Sequence, residues 1–130
     1  MEITKEAIIK ILDKVKECVR NGRFRISQNP NRLDNINFIN RYRLTSEVQK
    51  QMILSLDICD FSKIEEDRKD NRQILYFFGK DYELNHIDRG IEEVEAYIKF
   101  TMHERVNGDI VLFISFHEAK WPIEYYFKNS

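Results

Sequence analysis

The sequence has few of the residues that usually interrupt or cross-link a chain. Its 130 residues include only 4 glycines, 2 prolines and 2 cysteines. So little glycine and proline excludes a collagen-like or low-complexity chain, and the length predicts a single domain spanning 1–130. Cys18 and Cys59 are far apart and form no CxxC motif, so we expect reduced thiols rather than a disulfide framework.

Long hydrophobic runs are also missing. The longest lies within 109–116, far short of the roughly 20 apolar residues that a membrane-spanning helix needs. The first ten residues, MEITKEAIIK, have no basic region followed by an apolar stretch, as an export signal would. We therefore expect a cytoplasmic protein with no membrane partner.

The common signatures of cofactor and metal sites do not occur. The sequence contains no GxGxxG, GxxxxGK[ST] or GxSxG, which are typical of dinucleotide, nucleotide and serine-hydrolase sites. The three histidines, His86, His103 and His117, lack the short spacing of a zinc-ligand pair. The sequence therefore predicts neither a cofactor nor a metal.

Charge is balanced in total but uneven along the chain. The net charge is -1, yet segment 20–43 holds six arginines, six asparagines and one acid, Asp34. Arginine suits phosphate, and the aromatics between these residues can stack on bases, so this segment is a candidate for RNA binding or for an acidic protein partner. Segment 81–95 is the opposite pole, with six carboxylates and one arginine. A solvated surface also produces such clusters by chance.

Two helices are predicted in the first half of the chain. Apolar residues three and four positions apart predict a helix over 4–21. Thr45 or Ser46 caps a second helix that ends near Asp57. Between the helices, 24–26 is a candidate short strand.

Beyond Cys59 the hydrophobic period changes from 3.6 to 2, which is typical of strands. The four strands are predicted at 61–65, 73–78, 94–103 and 109–117, with a hairpin turn at 106–108. The fold class is therefore α+β, with two N-terminal helices packed on one face of a twisted antiparallel sheet of about four strands.

Alternation along the last two strands selects the residues of the opposite face. The core positions of these strands are predicted to be Val94, Ala96, Ile98, Phe100 and Met102, and Ile110, Leu112, Ile114 and Phe116. Tyr97 and His117 then point away from the core. Because hairpin strands share their faces, we expect these two side chains to look onto one surface, with Lys99 beside them. The aromatics near the C-terminus are expected to cover a sheet edge rather than to stack on bases; they are Trp121, Tyr125, Tyr126 and Phe127.

Four short blocks resemble the MqsR family of bacterial toxins, which are RelE-like mRNA interferases. In order, the blocks are Asp60-Phe61-Ser62-Lys63, Gln73-Ile74-Leu75-Tyr76, Ala96-Tyr97-Ile98-Lys99 and Ile114-Ser115-Phe116-His117. The similarity extends over 44–128. It implies a RelE-like fold, a cytoplasmic site of action, single-stranded mRNA as substrate and a cognate antitoxin protein as partner.

The resemblance also implies catalytic positions. The family's active-site lysine, glutamine and tyrosine fall on Lys63, Gln73 and Tyr97, and its last catalytic position, often lysine, falls on His117. The expected activity is metal-independent endoribonuclease cleavage through the 2'-hydroxyl. The residues expected to bind RNA are Lys99, Arg41, Arg43, Arg23 and Arg25.

The chemistry of these side chains agrees with that activity. Metal-free cleavage needs a base for the 2'-hydroxyl, donors for the phosphate and an acid for the departing 5'-oxygen. His117 can carry protons near neutral pH, and Lys63 and Tyr97 can donate to phosphate oxygens. Two alternatives remain on the same fold: a non-catalytic protein-interaction domain, and an RNA-binding module that does not cleave.

Overall fold

The computed structural model describes residues 2–67, 69 and 73–127. Within these residues the chain is α+β, as predicted, with three α-helices and one five-stranded sheet. The elements in chain order are α1 Lys5–Arg20, β1 Phe24–Ile26, α2 Leu33–Arg41, α3 Ser46–Leu54, a 3-10 turn at Ile58–Asp60, β2 Phe61–Asp67, β3 Gln73–His86, β4 Gly90–His103 and β5 Ile110–Glu118. None of these helices is long and apolar enough to cross a membrane.

The sheet is mixed rather than wholly antiparallel. Its strand order is β1-β5-β4-β3-β2, and β1 runs parallel to β5 while the other neighbours are antiparallel. The four predicted strands are present, and the candidate strand 24–26 adds a fifth at the edge.

α1 forms where the sequence places it, and α3 begins at the predicted cap but ends at Leu54, before the predicted end near Asp57. Thr4 and Thr45 cap their N-termini, each accepting a hydrogen bond from the backbone N–H three residues ahead. α1 buries one stripe, with Ile8, Val15 and Val19 fully enclosed against the rest of the core.

A third helix, α2, corrects the expectation of two. Three of its nine residues are asparagines, and Arg32 at its N-terminus makes no capping bond, so its local signals are weak. Tertiary contacts hold it instead: Phe38 packs edge-to-face on Phe116, and the buried Asn35 binds the backbone of β5. The Asn35 amide donates to the carbonyls of Ser27 and Ile114 and accepts from the N–H of Phe116, each at 2.9 Å.

The core lies between the helices and one face of the sheet. The predicted core set of β4 is confirmed, because Val94, Ala96, Ile98 and Phe100 are buried and Met102 packs against them. In β5, Phe116 is the one residue of the predicted core set that is fully buried. The other two buried apolar residues of this strand, Val111 and Phe113, were not predicted. The reason is a register shift opposite Lys99/Phe100, which places Ile114 in a bulge and inverts the alternation before it.

The acidic segment 81–95 is a hairpin, since β3 continues to His86 and β4 begins at Gly90. Tyr82, Leu84 and Val94 point into the core, whereas most of the carboxylates are exposed and only Glu92 and Glu95 are half-buried. The helix-free face of the sheet, called the open face below, carries alternate residues of β3 and β4 such as Phe77 and Tyr97.

Candidate functional site

A cavity of about 610 Å³ lies on the open face. Its walls come from β2, β3, β4, β5 and the segment that follows β5. The lining residues are Ser62, Lys63, Phe77, Tyr97, His117, Lys120, Trp121, Pro122, Ile123 and Glu124. Three of the four catalytic positions predicted from the sequence, Lys63, Tyr97 and His117, therefore share one cavity.

Tyr97 and His117 are brought together by the backbone. They are directly opposite each other in the antiparallel pairing of β4 and β5, and their ring centroids are 5.4 Å apart. The bulge at Ile114 precedes this pair, so Phe116 faces the core and His117 faces the cavity as predicted. Opposed side chains of such a pair must lie on the same face of the sheet.

The orientation of His117 leaves one ring nitrogen for chemistry. Its Nδ1 lies 2.9 Å from the carbonyl oxygen of Glu118. A carbonyl oxygen only accepts, so this contact is a hydrogen bond when Nδ1 carries the proton. In the neutral ring the lone pair is then on Nε2, which is the nitrogen able to accept a proton.

Phe77 forms the buried floor of the cavity, and two lysines approach its ring. Lys63 Nζ lies 4.6 Å and Lys99 Nζ 5.5 Å from the ring centroid. Lys63 is exposed and also binds the Glu65 carboxylate at 2.7 Å. Lys63 therefore supplies a positive charge at the cavity that is partly neutralised by its neighbour.

Burial changes the proton affinity of two side chains on this face. It raises the pKa of Tyr97 above the ordinary phenol value, an effect that Lys63 opposes. The phenol is therefore a hydrogen-bond donor throughout the neutral range. Burial, and then repulsion from Arg32, lowers the pKa of the Lys99 ammonium.

The C-terminal segment, defined as 119–127, crosses the open face and forms one wall of the cavity. The N–H of Ala119 donates to the Glu95 carbonyl at 2.8 Å, and the Ser62 hydroxyl donates to the Glu124 carbonyl at 2.6 Å. Midway, the segment passes so close to Gly79 that a Cβ there would lie 2.4 Å from Cδ1 of Ile123. Glycine at this position lets the segment lie against the sheet.

The four aromatic residues of this segment differ in their contacts and in their exposure. Tyr126 and Phe127 pack on Phe61 at the β2 edge, as expected, and the Tyr125 hydroxyl donates to the Glu95 carboxylate at 2.7 Å. Trp121 departs from the expectation: it covers no edge and is 81% exposed at the cavity.

A smaller cavity of about 240 Å³ adjoins the first on the other side of His117. Arg41 and Lys120 line it, each beside a carboxylate: Arg41 lies 3.7 Å from Glu118, and Lys120 lies 2.6 Å from Asp34. The hydrogen bond from Lys120 holds the pKa of Asp34 below its ordinary value. His117 is thus flanked by two cations, both of them in exposed ion pairs.

The remaining predicted residues lie outside the two cavities. Gln73 is on the open face, but four residues along β3 from Phe77, a distance of about 13 Å. Arg23 donates to the Asp109 carbonyl, and Arg25 pairs with Leu112, both near the start of β5, whereas His117 is near its end. Arg43 is exposed after α2. Of the predicted arginines, only Arg41 lies beside His117.

The sequence did not single out Ser62, Phe77, Lys120 or Trp121 as cavity residues. Trp121-Pro122 had the clearest available signal, because a tryptophan followed by proline outside any predicted strand has no regular element to pack it. In the part of the chain that the structure describes, no cluster of three potential metal ligands occurs.

Comparison with known proteins gives no relative: no family model, no curated protein and no solved structure matches this chain.

Proposed function

We propose that this protein is a metal-independent endoribonuclease that cleaves single-stranded RNA through its 2'-hydroxyl. The observation that carries the proposal is the pairing of His117 with Tyr97, whose ring centroids are 5.4 Å apart in a cavity that also holds Lys63. An imidazole, a protonated phenol and an ammonium group are the set that this reaction needs, and no nucleophilic side chain is required.

Each group has a role that follows from its chemistry. Nε2 of His117 accepts the proton of the 2'-hydroxyl, whose oxygen then attacks phosphorus. Tyr97 and Lys63 donate hydrogen bonds to the non-bridging oxygens as negative charge develops. A protonated group or water delivers a proton to the departing 5'-oxygen, so the products are a 2',3'-cyclic phosphate and a 5'-hydroxyl.

The biological setting that we propose follows from the resemblance to MqsR-family toxins. The blocks around Lys63, Tyr97 and His117 meet at one cavity, as that resemblance requires of its catalytic positions. We therefore propose a toxin of a type II toxin-antitoxin system with a RelE-like fold, acting on mRNA in the cytoplasm and neutralised by an antitoxin. Gln73, outside the cavity, has at most an indirect part in this scheme.

The test is cleavage of a fluorescently labelled single-stranded RNA by purified protein in EDTA. We expect cleavage by the wild type, and losses of about 10²- to 10⁴-fold for His117→Ala. Tyr97→Phe keeps the ring and removes the donor, so it should also lower the rate with the fold intact. His103→Ala is the matched control, because His103 is the last residue of β4 and does not line the cavity.

The substrate provides a second control. An RNA with one 2'-deoxy nucleotide at the cut site should resist cleavage there, and the products of the unmodified RNA should carry a cyclic phosphate. Intact RNA after prolonged incubation would refute the nuclease, and equal activity of His117→Ala would refute His117 as its base.

Non-catalytic RNA binding is the second candidate function. The ion pairs of Lys63, Lys120 and Arg41 leave no cation of the cavities without a carboxylate beside it in the described residues, which weakens the stabilisation of negative charge that cleavage needs. Salt-dependent retention of intact RNA would support this function. A protein-interaction domain would retain no RNA under the same conditions.

A further inference from the structure

We propose that Trp121 is a stacking platform for an unpaired nucleobase next to the phosphodiester at Tyr97 and His117. This inference deepens the proposed function and rests on it for the class of ligand. Its starting point is that Trp121 is the most exposed aromatic side chain in the described part of the chain, at 81%. Leaving an indole in water forgoes the burial that usually stabilises such a large side chain.

The backbone that carries the ring is held on both sides of Trp121. On one side, Ala119 is hydrogen-bonded to Glu95 of β4, and on the other, Glu124 is hydrogen-bonded to Ser62 of β2. Pro122 follows directly and restricts its own φ. The indole therefore projects from a segment anchored to the sheet at both ends, so binding a base costs little ordering of the backbone.

The surroundings favour a nucleotide over an apolar partner. Trp121 shares the cavity with Pro122 and Ile123, which can contact the flat side of a base, and with Lys63 and Lys120, which can face a phosphate. An aromatic platform beside ammonium groups is the usual composition of a single-strand site. Every base has a π-face, so the platform requires a base but does not select a particular one.

The chain contains one tryptophan, so fluorescence excited at the red edge of the indole absorption, where the six tyrosines do not absorb, reports on Trp121 alone. The probe is a single-stranded RNA of about ten nucleotides with 2'-fluoro sugars, which lacks the attacking hydroxyl and stays intact. We expect saturable quenching of the emission, and little quenching by a matched oligonucleotide in which the central residues are abasic.

Variants test the same point by the anisotropy of a labelled copy of the probe. Trp121→Ala should weaken binding about 5- to 150-fold, and Trp121→Phe, which keeps an aromatic face, should recover most of it. Ile91→Ala is the control, since Ile91 is also largely exposed but lies on the β3–β4 hairpin. Far-ultraviolet circular dichroism checks that each variant is folded.

The results separate this inference from the nuclease. Cleavage by the wild type, with no quenching and an unchanged KM for Trp121→Ala, overturns the platform and leaves the nuclease standing. Base-dependent quenching without any cleavage supports the platform and refutes the nuclease. No binding of either oligonucleotide overturns the platform.

Discussion

Tyr97 and His117 face each other across the β4–β5 pairing, with 5.4 Å between their ring centroids. Neither side chain needs a loop to bring it into place, because the hydrogen-bond register of the two strands fixes their separation. A site built on strands is held more firmly than one built on loops. The pair is therefore preorganised for a reaction that needs two groups at a set distance.

If Nε2 of His117 is the base, a free imidazole should replace it. His117→Ala leaves space at the junction of the two cavities, and we expect its residual cleavage rate to rise with added imidazole. The measurement is the initial rate of RNA cleavage against imidazole concentration. Tyr97→Phe serves as the comparison, because the added base supplies no phenol; equal stimulation of both variants would contradict the assignment.

The Glu65 carboxylate contacts Lys63 at 2.7 Å, so in the proposed nuclease it would compete with RNA for this ammonium group. Glu65→Gln should therefore lower the KM for RNA, by up to about fivefold at low salt, as expected for the loss of an exposed ion pair. Glu104→Gln changes the net charge equally, in the exposed turn after β4, and should have little effect. A higher KM for Glu65→Gln would mean that Lys63 needs its partner to be positioned.

Asn35 should be among the most sensitive polar positions in the chain. Asn35→Ala leaves the carbonyl of Ile114 and the buried N–H of Phe116 without their partner, so we expect a loss of about 3 kcal/mol in the free energy of unfolding. Chemical denaturation measures it. Asn40→Ala, at an exposed position of the same helix, should stay within about 0.5 kcal/mol of wild type.

The low pKa of Glu92 should make part of the free energy of unfolding depend on pH in the acid range. Hydrogen bonds from Arg89 and Tyr42 lower its pKa from 4.5 to about 2. A carboxyl with a depressed pKa stabilises the fold above its unfolded value, and this stabilisation disappears as the pH falls through the folded value. Glu92→Gln should therefore melt below wild type at neutral pH, with the gap in Tm closing between pH 4.5 and about 2.

Glu93→Gln removes an exposed carboxylate from the same strand and is the control for charge alone. A gap for Glu92→Gln that stays constant down to pH 2 would mean that the substitution acts through packing rather than through proton binding.

The sequence predicted the positions of Tyr97 and His117 well because both depend on local alternation next to strong apolar residues. Ile98, Phe100 and Phe116 are buried, so their immediate neighbours had to face the other way. The bulge at Ile114 could not be foreseen, since the Asn35 amide that binds its carbonyl comes from a distant helix. It altered the core set of β5 without moving His117 to the other face.

Two other differences have the same origin in long-range contacts. Helix α2 has weak local signals and is held by Phe38 and Asn35 against β5. Segment 81–95 carries so many carboxylates that its strand pattern was hidden, although Tyr82 and Leu84 alternate with them. Trp121 could be assigned to the cavity only from the structure, because its place depends on how the C-terminal segment crosses the sheet.

That path affects the order in which a newly synthesised chain becomes complete. The Ser62–Glu124 hydrogen bond joins residues 62 positions apart, and Ile123 lies against Gly79 of β3. Such distant contacts form late, after the nearer strand pairs exist to receive them. During synthesis α1 to β4 leave the exit tunnel before β5 and the segment that follows it, so the wall that carries Trp121 is made after the strands on which it docks. We therefore expect the basin to be finished only when that last segment settles on β2 and β3.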